Sequence, residues 1–334
     1  MTYRVTIAIP IYNVEKYIEK CARSLFEQTF DSIQYIFIND CTPDNSIDIL
    51  QKIIEQYPHR KKDIQIIHHE KNKGLAGARI TGINAAQGEY ILQIDSDDYI
   101  DIKTVELMYN KATEDNADIV VCDMTIVWSK RIKVFPQIYS PGNIEYTKLL
   151  LNTKAMPGVV NKLIRKSLYT NNDILPVEGI NMGEDYCTTP RLAYYANKIS
   201  KIDLPLYYYS QINENAYTKK YTEKSADSLI RAIGILDDFF KNTPESNIFE
   251  ESLLQAKLIK KISLIRFMPK EYRKEMALLF PESNKVINIT PLPIHEKIII
   301  KLVNKKLFTL LSIFLFLFDN ALEFLQILKG RRLK

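Results

Sequence analysis

The sequence predicts an α/β protein, with a mainly parallel sheet flanked by helices and a helical C-terminal region. Three observations carry this. Strand-like runs alternate with helical patterns of about 10 to 15 residues, the mark of βαβ units and a parallel sheet. The strand-like runs are continuously apolar, as strands covered on both faces are. Polar residues gather where those runs end, and ligands bind such sheets at the carboxyl ends of the strands.

In chain order, "RVTIAIP" reads as the first strand and residues 14–30 as an amphipathic helix. "QYIFIN", a helix over 44–57, "IQIIHH", a helix over 75–87 and "YILQID" follow. A helical stretch over 101–116 leads to "DIVVC". From 128 to 221 the pattern is irregular, punctuated by Pro136, Pro141, Gly142, Pro157 and Gly158. Beyond 222 it is almost wholly helical, broken at Pro244, Pro269, Pro281, Pro291 and Pro293.

Composition narrows the class. At 46% hydrophobic and 25% charged, the chain is globular rather than disordered. The net charge of +5 is uneven: residues 285–334 carry nine Lys/Arg against three Asp/Glu, which leaves the rest at about −1. A basic tail on a near-neutral body argues against nucleic-acid binding, which needs a basic surface on the fold itself. It points to an anionic membrane surface. Cys21, Cys41, Cys122 and Cys187 are scattered, as reduced thiols of a cytosolic protein are. "MTYRVTIAIPIYN" lacks the signal-peptide pattern, so a cytoplasmic location is expected, peripheral on the inner membrane face if the tail attaches there.

The chemistry begins in "GEYILQIDSDDYI" (88–100), a buried-looking strand that ends in Asp95, Asp97 and Asp98. One reading is a Mg²⁺ or Mn²⁺ site, since these ions take oxygen ligands and leave positions open for phosphate. The other is a solvated turn in which Asp98 or Asp101 caps the next helix. "NKGLAGARITG" (72–82) offers glycines, a helix start and Lys73 and Arg79 for an anion. "INDCTPDNS" (38–46) places Asp40 after a strand and Asp44 near a helix start, where capping is its better reading. Asn13 ends the first strand in the same way. "NMGEDYCTTPRLAYYA" (181–196) sets Glu184 and Asp185 before a helix, as a general base or as first-turn charges.

The ordered set "IAIPIYN", "FINDCTPDNS", "NKGLAGARITGINAAQGEYILQIDSDD", "NKLIRKSLY" and "GEDYCTTPRLAYYA" resembles the inverting family 2 glycosyltransferases of GT-A fold, over about residues 3–215. The resemblance implies a nucleotide diphosphate sugar donor, UDP-linked above all, and a divalent metal. Pro10 and Tyr12 would line the nucleoside pocket, with Asn13 beside them, and Asp40 would hydrogen-bond the base. Gly74, Ala78 and Arg79 would pass beside the nucleotide. Asp95 would lie near ribose and metal with Ser96 adjacent, Asp97 would be the principal metal ligand, and Asp185 the catalytic base. Glu184 and Lys162 would face acceptor or phosphates; a solvated helix lysine is the other reading of Lys162. His68 and His69 read as structural, and Trp128 either stacks on a sugar or packs.

One segment departs from the family. "YYYSQINENAYTKKY" (207–221) has Ser210 and Gln211 where relatives carry a basic loop residue and Ala216 where they carry a serine. Lys219 or Lys220 is the substitute cation to consider. In the tail, the apolar run 307–318 is too short for a span of about 20 residues. Lys301, Lys305, Thr309, Ser312, Asp319, Glu323 and Gln326 recur on one helical stripe, flanked by Lys297, Lys306, Lys329, Arg331 and Arg332. That predicts a basic amphipathic helix over about 294–330, lying on a membrane or packing on protein.

The expected organisation is a catalytic domain over 1–220, its nucleotide-sugar half about 1–125 and its acceptor half about 126–220, then a helical region over 221–334. The expected activity is metal-dependent, inverting transfer of a hexose or N-acetylhexosamine to a glycan or lipid-linked glycan. A catalytically silent nucleotide-sugar-binding partner and a metal-dependent nucleotidyltransferase are the competing readings. Homo-oligomerisation stays open.

Overall fold

The computed structural model describes residues 3–213 and 221–328. Contacts divide the chain into two units, Met1–Lys219 with Ser228–Thr243, and Lys220–Asp227 with Pro244–Lys334.

The first unit is built on one sheet. Strands β1 (Val5–Ile11), β2 (Ile33–Asn39), β3 (Ile64–His68) and β4 (Tyr90–Gln93) run parallel in the order β3-β2-β1-β4. β1 has a neighbour on each side and is buried throughout, which is why its sequence shows no alternation. The connecting helices are α1 (Ile18–Phe26), α2 (Ser46–Ile54) and α3 (Gly74–Ala85). α1 buries Ile18, Cys21, Ala22, Leu25 and Phe26, one apolar stripe at helical spacing. It is shorter than the pattern over 14–30, because beyond Phe26 the Gln28 amide bonds Ser24 O and Asp101 O and holds the chain in an irregular turn. α3 lies close on the sheet: a Cβ at Gly82 would stand 2.8 Å from Ala8 Cβ.

β1 neighbours β2 on one side and β4 on the other, so strand order reverses between β1 and β4, and their carboxyl ends form the switch point of the fold. Pro10 is suited to this position. Ala8 O accepts from Ile94 N on the β4 side and Ile11 O from Asp40 N on the β2 side. The N–H that proline lacks would point beyond the end of β4, where no ladder continues.

The rest of the unit is β5 (Tyr99–Ile100), α4 (Thr104–Asp115), β6 (Ile119–Trp128), β7 (Arg131–Phe135), α5 (Asn143–Leu151), β8 (Lys162–Arg165), α6 (Lys166–Thr170), α7 (Glu184–Tyr195) and β9 (Ile199–Ser210). β8 enters antiparallel between β4 and β6, β9 lies parallel to β6, and β5 pairs antiparallel with β9. The sheet is therefore parallel through its first four strands and mixed beyond. The irregular look of 128–221 has local causes. β8 is only four residues long, and β9 shifts register against β6 around Cys122 and Asp123, which breaks the alternation. All four cysteines are free thiols, and Cys21, Cys122 and Cys187 are buried.

Helix α8 (Glu223–Lys241) follows, and the second unit contains α9 (Ser246–Phe267), α10 (Arg273–Leu278), α11 (Ile294–Asn304) and α12 (Phe308–Leu328). The single helix expected over 294–330 is in fact two. α11 ends in a left-handed turn with Lys306 at φ 56°, where Lys306 N donates to Val303 O and Leu307 N to Leu302 O. A lysine in that conformation leaves no mark in a hydropathy pattern. Leu311 and Leu315 of α12 are buried, whereas Leu310, Ile313, Phe316 and Leu317 are exposed. Glu323, Gln326, Lys329, Arg331 and Arg332 lie outside the described side chains. Among the described residues no helix is long and apolar enough to cross a membrane.

Candidate active site

The carboxyl ends of β1, β2 and β4 converge with the start of α7. After β1, Tyr12 is 50% exposed and Asn13 takes φ 57°, its N–H donating to Thr42 Oγ1 at 2.7 Å. Asp44 holds this loop: its carboxylate accepts from Thr42 Oγ1, Ser46 Oγ, Ser46 N and Glu15 N. These bonds keep its pKa below the usual value despite partial burial; the N-cap of α2 is Asn45, so Asp44 braces the loop ahead of the helix instead of capping it.

Asp40, expected at the nucleobase, is drawn into the N-terminus of α3. Oδ1 accepts from Lys73 N at 2.7 Å and Oδ2 from Gly74 N at 2.9 Å. His69 Nδ1 stands 2.7 Å from Oδ1, and its Nε2 lies 2.8 Å from Thr81 Oγ1. Any contact from Asp40 to a base must share an oxygen already engaged. His69 is structural as expected, yet its structural task is to hold this carboxylate. Gly74 takes φ +74°, and a Cβ there would lie 2.4 Å from Asn181 Oδ1, so glycine is required both for backbone and for space.

The acidic run divides. Asp95 and Asp97 are partly exposed and Ser96 is buried. Asp98 is not part of any open cluster: it is 1% exposed and accepts from Tyr207 Oη at 2.5 Å and Ser210 N at 2.6 Å. Its carboxylate ties the acidic turn to β9, and burial together with Asp97 and Asp95 pushes its pKa well up. Neither Asp98 nor Asp101 caps α4, whose N-cap is Lys103; Asp101 Oδ1 accepts from Lys103 N at 2.9 Å in the turn ahead of the helix. Among the described residues no three His, Cys, Asp or Glu side chains group as a metal cage. Two partly exposed carboxylates one residue apart do fit Mg²⁺ or Mn²⁺, which keep water and phosphate oxygens as their other ligands.

Arg79 lies beneath this turn, not beside an open nucleotide groove. Its guanidinium is 1% exposed, with Nη1 donating to Gln93 Oε1 at 2.9 Å and Nη2 to Asp95 Oδ1 at 3.1 Å. Nε points at the pair on α7, 3.8 Å from Glu184 Oε1 and 3.6 Å from Asp185 Oδ1. Ala78 is buried beside it. The pair sits in the first turn of α7, entered through Gly183 at φ 90°. Asp185 is the more open, at 19% side-chain exposure against 8% for Glu184, and its Oδ2 accepts from Val159 N at 3.2 Å. Burial and the adjacent Asp185 raise Glu184 to about 8, while burial raises Asp185 and the Arg79 guanidinium opposes it.

Lys162 is not a solvated helix lysine. It starts β8, is 1% exposed, and its Nζ donates to Met156 O (2.8 Å), Gly158 O (2.6 Å) and Asn161 Oδ1 (2.9 Å). Burial lowers its pKa to about 7, partly offset by Asp185. It folds the 156–162 segment whose Val159 N–H meets Asp185. Trp128 packs under Arg131, 3.8 Å from guanidinium carbon to ring centre across the β6–β7 hairpin.

Sequence reading missed Gln93, Tyr207, Asn181 and Asn213. The last lies in the divergent loop and donates from Nδ2 to Asp97 Oδ2 at 2.8 Å. A polar Gln93 inside the strand-like "YILQID" was the one available signal. Ala216, Lys219 and Lys220 lie outside the described residues.

A sheet with a switch point between β1 and β4, acidic residues at that point and a carboxylate pair across from them are the layout of an α/β fold with its ligand side at the strand ends. The model of the family described as glycosyl transferase family 2 matches residues 6–171, and the chain belongs to that family. Among curated proteins, the "Uncharacterized glycosyltransferase EpsJ" of Bacillus subtilis (strain 168) is 35% identical over 222 residues, 64% of this chain and 63% of that protein. The "Putative glycosyltransferase EpsH" of the same strain is 33% identical over 234 residues, 68% and 66% respectively. The chain thus matches just under two thirds of each relative. The structure of S. aureus TarS 1-349 with UDP-GlcNAc superposes with a TM-score of 0.71 at 19% identity, covering 95% of this chain and 92% of that one. That likeness establishes the GT-A fold.

Proposed function

We propose that this chain is an inverting glycosyltransferase that moves a hexose or N-acetylhexosamine from a UDP-sugar to a hydroxyl of a glycan or lipid-linked glycan, in surface polysaccharide synthesis on the cytosolic side. The observation that carries this is the meeting of Asp95, at the switch point, with the Glu184–Asp185 pair on α7 through one guanidinium. The neighbouring TarS has been solved with UDP and with UDP-GlcNAc, which supports a UDP-sugar donor. The mannosyltransferase PcManGT of Pyrobaculum calidifontis, with GDP-Man and Mn²⁺, supports a divalent metal.

Asp95 and Asp97 would hold that metal, which supplies positive charge against the departing diphosphate. Asp185 takes the proton of the acceptor hydroxyl as its oxygen bonds to the anomeric carbon. The bond from that carbon to the diphosphate oxygen breaks, and the nucleoside diphosphate leaves with the electron pair. Attack opposite the leaving group inverts configuration in one displacement. Burial makes Asp185 a stronger base than a solvated carboxylate, and Val159 N–H holds one of its oxygens.

Titration calorimetry with UDP, with and without Mn²⁺, tests the donor site: binding should need metal and vanish in Asp97→Ala. Asp185→Asn should keep UDP binding and lose about 10³-fold or more in transfer. Absence of metal-dependent binding of UDP, GDP and CDP by the wild type would overturn the reading.

The second unit supports attachment to an anionic bilayer, where a lipid-linked acceptor resides. Leu310, Ile313, Phe316 and Leu317 are 51%, 50%, 68% and 60% exposed. A cleft of about 1160 Å³ lies between α12 and Lys270, Arg273 and Lys274, with Glu271 and Asp319 also in its lining, so apolar surface meets a charged surface with a slight basic excess. Co-sedimentation with phosphatidylglycerol vesicles should be lost on Phe316→Ser/Leu317→Ser. Equal sedimentation with neutral vesicles, or none at all, would refute it.

A further inference from the structure

Arg79 does more than neutralise Asp95. It stands on α3, a helix on which Ala78, Arg79 and Gly82 are buried together, so its side chain passes under the site. Two of its nitrogens are committed, Nη1 to the buried Gln93 and Nη2 to Asp95. The third, Nε, is buried and has no hydrogen-bond partner among the described residues, although two carboxylates lie 3.6 and 3.8 Å away. A guanidinium carries its donors in a rigid plane, so fixing two nitrogens fixes the direction of the third. Here the two fixed contacts come from β4 and the turn after it, and the third direction leads to α7.

We infer that Arg79 is a positioning residue for the base: anchored on Gln93 and Asp95, it aims Nε–H at the Glu184–Asp185 pair and thereby couples the donor side of the site to the orientation of Asp185. The inference rests on the transferase reading above. Nε, 3.6 Å from Asp185 Oδ1, is short of hydrogen-bond range by about 0.4 Å, a gap that a small shift of α7 closes when donor and acceptor assemble. Asp185 is otherwise faced by Asp95 from the turn after β4, by Lys162 from β8, by Tyr169 from α6, by Val159 N–H and by its neighbour Glu184. Arg79 is the member of this set that touches both sides. Lysine cannot replace it, because one ammonium does not hold three fixed directions.

The test separates kcat from KM across pH for Arg79→Met, Arg79→Lys and Gln93→Leu, with thermal melts and UDP calorimetry with and without Mn²⁺ alongside. For Arg79→Met, kcat should fall about 100-fold with KM within about 3-fold, and the acid limb should move to higher pH as the carboxyl pair loses its cation. Arg79→Lys should return the acid limb but leave kcat about 10-fold down, and Gln93→Leu should lower kcat several-fold with the melt little changed. Unchanged kcat and acid limb in Arg79→Met would overturn the inference. So would a loss of rate matched by loss of UDP binding with the pH profile intact. If Arg79→Met does not fold, wild-type kcat in Gln93→Leu overturns it. If the wild type neither binds UDP nor transfers, the transferase reading fails separately. The coupling is then read from carboxyl ¹³C NMR titrations of wild type and Arg79→Met, where an unmoved Asp185 titration would refute it.

Discussion

Replacing Asp98 with alanine removes a buried carboxylate that accepts two short bonds from β9, from Tyr207 Oη at 2.5 Å and Ser210 N at 2.6 Å. Bonds to an ionised acceptor are worth about 1.5–3 kcal/mol each, and both donors stay behind in a buried place. Against this, the substitution relieves a carboxylate whose burial beside Asp97 and Asp95 already disfavours its charge. The net expectation is about 3 kcal/mol, which lowers the melting temperature by about 6–12 °C in a unit of this size. Thermal melts paired with UDP calorimetry separate the two roles in this turn. Asp98→Ala should melt early yet retain metal-dependent UDP binding within about tenfold. Asp97→Ala should melt within about 2 °C of wild type and lose that binding. An Asp98→Ala protein with an unchanged melt and no UDP binding would refute the assignment of Asp98 as an anchor and make it a ligand.

Three further outcomes follow from the same geometry. Lys162→Met leaves three acceptors in a buried place and should cost about 2–4 kcal/mol in a denaturant melt, with kcat reduced and UDP affinity kept. Gly74→Ala forces an alanine into φ +74° against Asn181 and should destabilise by about 1–2 kcal/mol on the same assay. The third concerns pH. Glu184 titrates near 8 in the fold against 4.5 outside it, so the folded state keeps a proton that the unfolded chain releases. Its contribution is whole below 4.5 and is lost as pH rises through about 8, so stability should fall between about pH 5 and 7, and Glu184→Gln should flatten that slope. Lys162, lowered to about 7, acts with the opposite sign only above that window.

The parallel half of the sheet was legible because each strand is a long apolar run and each helix carries a one-sided stripe, as α1 does. The pairing of Asp95 with the Glu184–Asp185 segment was legible as chemistry, though its connection was not. Arg79 reads as one more cation beside a glycine-rich helix start, and only packing shows it buried. The backbone partners of Asp40 and Lys162 were not legible for a related reason: a charge quoted from a sequence is assumed to face solvent or ligand until its backbone partners are known. Asp98 was hidden by its company, since three aspartates in four residues look alike until β9, more than a hundred residues later, claims one. The antiparallel insertion of β8 left no periodic trace in four residues.

That insertion has a consequence for how the chain reaches its fold. Every motif proposed to face the nucleotide is complete by Asp98, yet β4 gains its second neighbour only when residues 162–165 pair with it. Until then a buried-type strand, "YILQ", presents an open apolar edge. Open edges of this kind recruit other chains. A fragment ending near residue 125 would therefore aggregate rather than act as a nucleotide-binding module, and a nascent chain stalled there is at its most vulnerable to misassembly.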